Sequence, residues 1–196
     1  MTAVQLRSES GRVVRAPQWV RSVGAAEQAL LGRAVSPVLD VGCGPGRHVV
    51  ELHRLGLATL GIDISLPALA LARRRGALVL HRSIFDEVPA PRRWATALLL
   101  DGNVGIGGCP RTLLARVARI LRPDGRVLVE TRPPGAHRLV ERVRIEVDGL
   151  AGPWFEFGQV GIDDVASVAA EAGLVVVDRW TSEGRWFAEL RRAPGR

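Results

Sequence analysis

Hydrophobic positions along this chain fall into two alternating rhythms. Short apolar runs bounded by glycine, proline or an acid predict strands at residues 37–41, 58–64, 77–81, 95–100, 126–130, 174–180 and 185–190. Between them, apolar residues recur at helical spacing over 17–32, 47–55, 66–75, 111–121 and 162–172. Several of these segments carry their own stops and starts. Gly56 ends the second helix, Ser65 caps the third with Pro67 in its first turn, and Asp163 and Asp164 open the last. Strands that alternate with helices predict an α/β domain. Residues 95–100 are continuously apolar, as a central strand covered on both faces requires. Residues 89–93 read as a loop, and residues 1–16 as a loosely docked arm. Residues 138–147 alternate, and an aromatic run at Trp154, Phe155 and Phe157 follows, so 136–160 predicts an inserted β-hairpin.

The first strand leads into Asp40-Val41-Gly42-Cys43-Gly44-Pro45-Gly46-Arg47, a glycine-rich turn before a helix. Such a turn lets a ligand approach the backbone, and the helix start offers free N–H groups to an anion. The spacing is G-x-G-x-G. A dinucleotide fingerprint would place a further Gly or Ala one position later, where Arg47 stands. About twenty residues on, Asp63 closes the second strand, where an acid can accept from both hydroxyls of a ribose. The glycine run with Asp40, the acid at Asp63, and the Leu121-Arg122-Pro123-Asp124-Gly125 passage from helix to strand resemble class I S-adenosylmethionine-dependent methyltransferases.

That resemblance covers residues 37–192. It implies a three-layer Rossmann-like sandwich with a mostly parallel seven-stranded sheet, order 3-2-1-4-5-7-6, its last strand antiparallel. The whole chain would be one domain: an arm and helix at 1–32, a core at 37–192 and a substrate-side insertion at 136–160. The implied cofactor is S-adenosyl-L-methionine. Asp40, Gly42, Gly44 and Gly46 would lie at its methionyl end, and Asp63 and Ile64 at its ribose. Ser83, Ile84 and Phe85 would flank its adenine, and Asp101 and Gly102 the reacting sulfur. Asp101 and Asn103 could orient an acceptor, and His137, in the loop after the fifth strand, is the candidate general base. Trp19 could line the acceptor pocket or simply pack. The junction after the fourth strand lacks an Asn-Pro-Pro-aromatic run, which argues against an enzyme acting on DNA adenine.

The 196 residues suffice for one well-buried domain. The net charge of +7 is carried wholly by arginine, since the chain contains no lysine. Its arginines are scattered without interleaved aromatics, so a solvated surface explains the charge better than a polyanionic partner does. Cys43 and Cys109 provide neither a disulfide framework nor metal-ligand spacing, so no metal is expected. With no apolar run long enough to span a bilayer and a polar start, the expected location is the cytoplasm, with no membrane partner. The leading reading is a methyltransferase acting on a small-molecule acceptor. The alternatives are an RNA methyltransferase and a non-catalytic protein that binds S-adenosylmethionine.

Overall fold

The computed structural model describes residues 2–136 and 139–193. Seven strands form the central sheet: β3 (Val38–Val41), β4 (Thr59–Asp63), β5 (Val79–His81), β6 (Trp94–Leu99), β7 (Leu121–Thr131), β11 (Leu174–Ser182) and β12 (Arg185–Arg192). Their order is β5-β4-β3-β6-β7-β12-β11, the expected arrangement. β3, β4, β5, β6 and β7 run parallel, and β12 is antiparallel to both β7 and β11.

The apolar runs supply both faces at once, because successive side chains of a strand point oppositely. Leu39 and Val41 of β3, Leu99 of β6, and Val127 and Val129 of β7 pack with Leu113 and Val117 of α4 (Pro110–Ile120) and Val165 and Val168 of α5 (Val165–Glu171). Val38, Leu98 and Leu128 pack on the other face with Leu30 and Leu31 of α1 (Ala25–Leu31) and Leu52 of α2 (Arg47–Arg54). α3 (Leu66–Arg74) lies beside α2, and Leu69 and Ala72 meet Cys43 and Val49.

Two expectations for the flanking segments are corrected. Residues 4–15 are not a loose arm. β1 (Val4–Ser8) and β2 (Val13–Arg15) pair with each other, and β1 pairs along its whole length with β8 (Val140–Val147). β8 in turn pairs with β9 (Leu150–Ala151) and β10 (Phe155–Gly158). The inserted hairpin and the chain's start thus make one five-stranded sheet, order β10-β8-β1-β2 with β9 also on β8. Val4, Ile145 and Val147 of its inner face bury themselves against Ala68 and Leu71 of α3. The helix expected over 17–32 is also broken. A 3-10 turn at Pro17–Val20 is followed by extended backbone at Arg21, and α1 starts afresh after Gly24. The break has a local cause: Glu27 Oε2 accepts the Gly24 N–H at 2.9 Å, which caps a new helix there.

Candidate active site

The site lies beyond the carboxyl ends of the parallel strands, where the sheet order reverses between β3 and β6. The β3–α2 turn is the glycine run. Gly42, Gly44 and Gly46 all hold left-handed backbone, with φ of 72°, 51° and 77°. Their roles differ. A Cβ on Gly44 would meet only open space, so this glycine leaves room for a ligand. A Cβ on Gly46 would strike Ala72 and Ala77, so Gly46 lets α2 pack on α3 and lines none of the cavities described below. The close-packing role that a dinucleotide fingerprint gives to the position of Arg47 therefore falls one residue earlier.

Asp63 is buried at the end of β4. Its Oδ2 accepts the Gly44 N–H at 2.8 Å and its Oδ1 accepts the Ser65 N–H at 2.7 Å. One carboxylate thus fixes the glycine turn and the start of α3 together, and each oxygen keeps a further acceptor position. Burial raises its pKa above the usual carboxylate value despite these bonds.

Three cavities adjoin one another here. The first, about 190 Å³, is bounded by Gly42, Asp63, Ile64, Ser83, Ile84 and Phe85, and is closed by Ile106, Ile145 and Phe155. Its walls are largely aliphatic and aromatic, and the Asp63 carboxylate shares the polar part of the lining with Arg82, Ser83 and Asn103. The second, about 30 Å³, runs along Gly42, Gly44, Arg47, Asp101 and Asn103 beneath Trp19. The third is a chamber of about 340 Å³ between β7 and the five-stranded sheet, and it shares Trp19 and Asp101 with the second. Trp19 is half-buried where the two meet, so it does line the chamber as well as pack against the five-stranded sheet.

Ten of the residues singled out from sequence line this system: Gly42, Gly44, Asp63, Ile64, Ser83, Ile84, Phe85, Asp101, Gly102 and Asn103. Asp40 and Gly46 do not. Asp40 points to the α2 side of β3, where its Oδ2 is buried without a hydrogen bond, 3.9 Å from His48 Nδ1. Desolvation raises its pKa to about 6. His137 lies outside the described residues. Asn103 donates from Nδ2 to the carbonyls of Val41 and Gly42, both at 2.9 Å, and so holds the loop after β6 down on the glycine turn.

Asp101, at a positive φ of 56°, is gripped by Arg47 Nη2 through both carboxylate oxygens at 2.9 Å. Arg47 is no solvated residue of the helix face. It is buried and also pairs with Glu27. Burial alone would lower its pKa, but Asp101 and Glu27 overcome that and raise it. Glu27 further contacts His48 and Arg185, and Arg185 grips Glu130 in a fork at 2.8 and 2.7 Å. Burial would raise Glu27, yet hydrogen bonds from His48 and Arg47 hold it far below the carboxylate range. Nothing local in sequence signals this network, because its members come from α1, α2, the loop after β6, β7 and β12. Ile145 and Phe155 were legible only as members of the expected substrate-side insertion, not as walls of the first cavity. They reach the first cavity only because the five-stranded sheet folds over it.

The two cysteines carry no site chemistry. Cys43 is buried, and burial pushes its thiol up. Cys109 is exposed, its thiol lowered chiefly by the Thr112 hydroxyl, and no base is hydrogen-bonded to it among the described residues. Among the described residues no group of His, Cys, Asp and Glu could hold a metal ion.

A doubly wound sheet, with an acid-closed glycine turn at its switch point, defines a nucleoside-binding α/β protein. Residues 38–125 match a family model described as a methyltransferase domain. The malonyl-[acyl-carrier protein] O-methyltransferase of Salmonella typhimurium is 33% identical over 118 residues, 59% of this chain and 46% of that protein. The dTDP-3-amino-3,6-dideoxy-alpha-D-glucopyranose N,N-dimethyltransferase of Streptomyces fradiae is 34% identical over 114 residues, 54% of this chain and 45% of that protein. The chain spans about half the length of the curated relatives it matches first. In fold it is similar to a SAM-dependent methyltransferase of Bacteroides fragilis solved with S-adenosyl-L-homocysteine. The TM-score is 0.79 at 23% identity, over 98% of this chain and 88% of that one. Over residues 38–125 the chain thus resembles a methyltransferase domain, and its fold is that of the SAM-dependent methyltransferase it superposes on.

Proposed function

We propose that the protein transfers a methyl group from S-adenosyl-L-methionine to a small-molecule acceptor. The observation that carries this reading is the Asp63 carboxylate. It is braced by two backbone N–H groups, yet opens on a slot whose other walls suit a flat nucleobase. The slot's aliphatic residues, Ile64, Ile84 and Ile106, with Phe85 at the rim, would take the adenine, and Asp63 the ribose hydroxyls. The open space over Gly44 leaves room for the methionyl end. Bound there, the sulfonium supplies an activated methyl group with a neutral thioether as leaving group.

This chain's own work is then alignment and exclusion of water. Asn103 pins the loop over the glycine turn, and Arg47 fixes Asp101 at the junction with the chamber. Trp19 closes the same junction from the side of the five-stranded sheet. The acceptor would occupy the 340 Å³ chamber, a volume suited to a small molecule rather than a nucleic-acid strand. His137 keeps its place as candidate base only through its sequence position after β7. Among the described residues no helix is long and apolar enough to cross a membrane. A cytoplasmic location fits the two free thiols.

Thermal unfolding with S-adenosylmethionine, S-adenosylhomocysteine and NAD tests the reading. Either adenosyl ligand at 100 times its Kd should add about 2.7 kcal/mol, and NAD should add nothing. Asp63→Ala should abolish the response. Its unliganded stability is measured alongside, because Asp63 also holds the Gly44 and Ser65 amides. Stabilisation by NAD alone would overturn the assignment.

A further inference from the structure

Among the described residues the chamber lining contains five charged side chains: Arg12, Asp101, Glu130, Arg132 and Glu141. Four are already neutralised within the fold. Arg12 pairs with Glu141, Asp101 with Arg47, and Glu130 with Arg185. Arg132 alone has no side-chain partner among the described residues. Its backbone is nevertheless fixed on both sides. Its N–H donates to Val160 at 2.8 Å and its carbonyl accepts from Ile162 at 3.0 Å. A guanidinium is therefore presented from a rigid strand end, at the carboxyl edge where α/β sheets bind ligands. Gln159, half-buried beside it in the lining, has no side-chain partner either. The opposite wall carries Leu6, Val14, Val143 and Phe157 beside the mutually paired Arg12 and Glu141.

We infer that the acceptor is an organic anion, its charged group held by Arg132 and its apolar body lying against the five-stranded sheet. This deepens, and rests on, the methyltransferase reading. The chamber's carboxylates are each already neutralised by an arginine, so a cationic acceptor meets no uncompensated negative charge in this lining. An anion meets the one charge left unspent among the described residues, through a planar fork matched to a carboxylate. No His, Lys, Tyr or Cys lines the chamber among the described residues. An acceptor that arrives already ionised fits such a lining, since no proton need be removed there.

The test measures binding of three matched probes to the protein saturated with S-adenosylhomocysteine: 3-phenylpropionate, 3-phenylpropanamide and 3-phenylpropylamine. Calorimetry or saturation-transfer NMR gives the affinities. The acid should bind at least about tenfold tighter than the amide or the amine. Arg132→Gln should erase that preference and leave S-adenosylhomocysteine affinity unchanged, and Arg132→Lys should restore part of it. Arg132 is exposed, so neither variant threatens the fold. An acid that binds no tighter than the amide, or a preference that survives in Arg132→Gln, would overturn the inference. Should S-adenosylhomocysteine itself fail to bind, the cofactor reading falls. The acid-over-amide comparison, repeated without it, still decides the role of Arg132.

Discussion

The two sheets are built by different rules and give the site different things. The seven-stranded sheet is covered on both faces, and its central strands β3 and β6 are short and buried throughout. It contributes backbone: the glycine turn, the loop after β6, and one carboxylate at a strand end. The five-stranded sheet buries one face only, and β8 alternates accordingly. It contributes side chains: Ile145 and Phe155 over the slot, Val143 and Phe157 on the chamber. The family match at 38–125 lies wholly within the first. The comparison teaches that the proposed donor slot is held mainly by the common scaffold, while the chamber is shaped jointly by that scaffold and by the sheet that the scaffold does not specify.

If the scaffold carries the stability, the largest losses should come from its buried charges. Glu27 is shared by Arg47, His48 and Arg185. Glu27→Gln leaves two guanidiniums short of a partner and should cost about 3–5 kcal/mol in urea unfolding. Because the folded protein holds Glu27 far below its ordinary 4.5, its stabilisation is present above that pH and is lost as pH falls below it. A loss under 1 kcal/mol would show that the network is not what ties α1 to the sheet.

Asp40 has the opposite sign. Its folded pKa of about 6 lies above the ordinary 3.8, so the folded state holds the proton more tightly. Stability from this group is full below pH 3.8 and falls as pH rises to about 6. Asp40→Asn should remove that slope and stabilise the protein at pH 8 by up to about 3 kcal/mol. Denaturant midpoints at pH 4, 6 and 8 check it. An unchanged slope would mean that Asp40 is ionised and satisfied in solution.

Gly105 tests the seam between the sheets. A Cβ there would overlap the Gly158 carbonyl of β10, backbone against backbone. The neighbouring Gly107 N–H donates to the Glu156 carbonyl at 2.8 Å, so the loop after β6 is laced to β10. Gly105→Ala should cost about 1–3 kcal/mol by overpacking and weaken ligand binding, by spreading the slot that Phe155 covers. Gly44→Ala, with open space around its Cβ, should pay only the strain of its positive φ, about 1–2 kcal/mol.

The same contrast decides what could be read from sequence. The strands, the glycine turn and Asp63 were legible because each is encoded in a contiguous segment, whereas the strand order followed only from the family resemblance. The apolar runs give the strands, and the spacing of Gly42, Gly44 and Gly46 gives the turn. The five-stranded sheet was half legible. Residues 138–147 alternate visibly, but their partner Val4–Ser8 lies at the other end of the chain, and five residues of alternation do not declare what they pair with. The break at Arg21 to Gly24 was missed because helical spacing runs straight through it, while the Glu27 cap that causes it shows only in three dimensions. Asp40 looked like a ligand residue by its place before the glycines. The two-residue period of β3 sends it to the face away from the cavities, with Val38.

The smallest expected effect belongs to the five-stranded sheet alone. Glu146 on β8 accepts from Arg7 at 2.8 Å, Gln5 at 2.6 Å and Arg144 at 2.9 Å, and the Arg7 bond leads in holding its pKa at about 2. Gln5 and Arg7 come from β1, so this carboxylate joins two strands more than a hundred residues apart in sequence. The arginines are partly exposed, so solvent screens most of the attraction and global stability should hardly move. Glu146→Gln should instead speed amide hydrogen exchange in Val4–Ser8 and Val140–Val147, with β3 and β6 unchanged. The same speeding should appear in the wild-type protein as pH falls from the ordinary 4.5 towards 2, once exchange is corrected for its intrinsic pH dependence. Faster exchange spread equally over both sheets would mean that they open as one unit. The chamber could then not loosen while the slot stays closed.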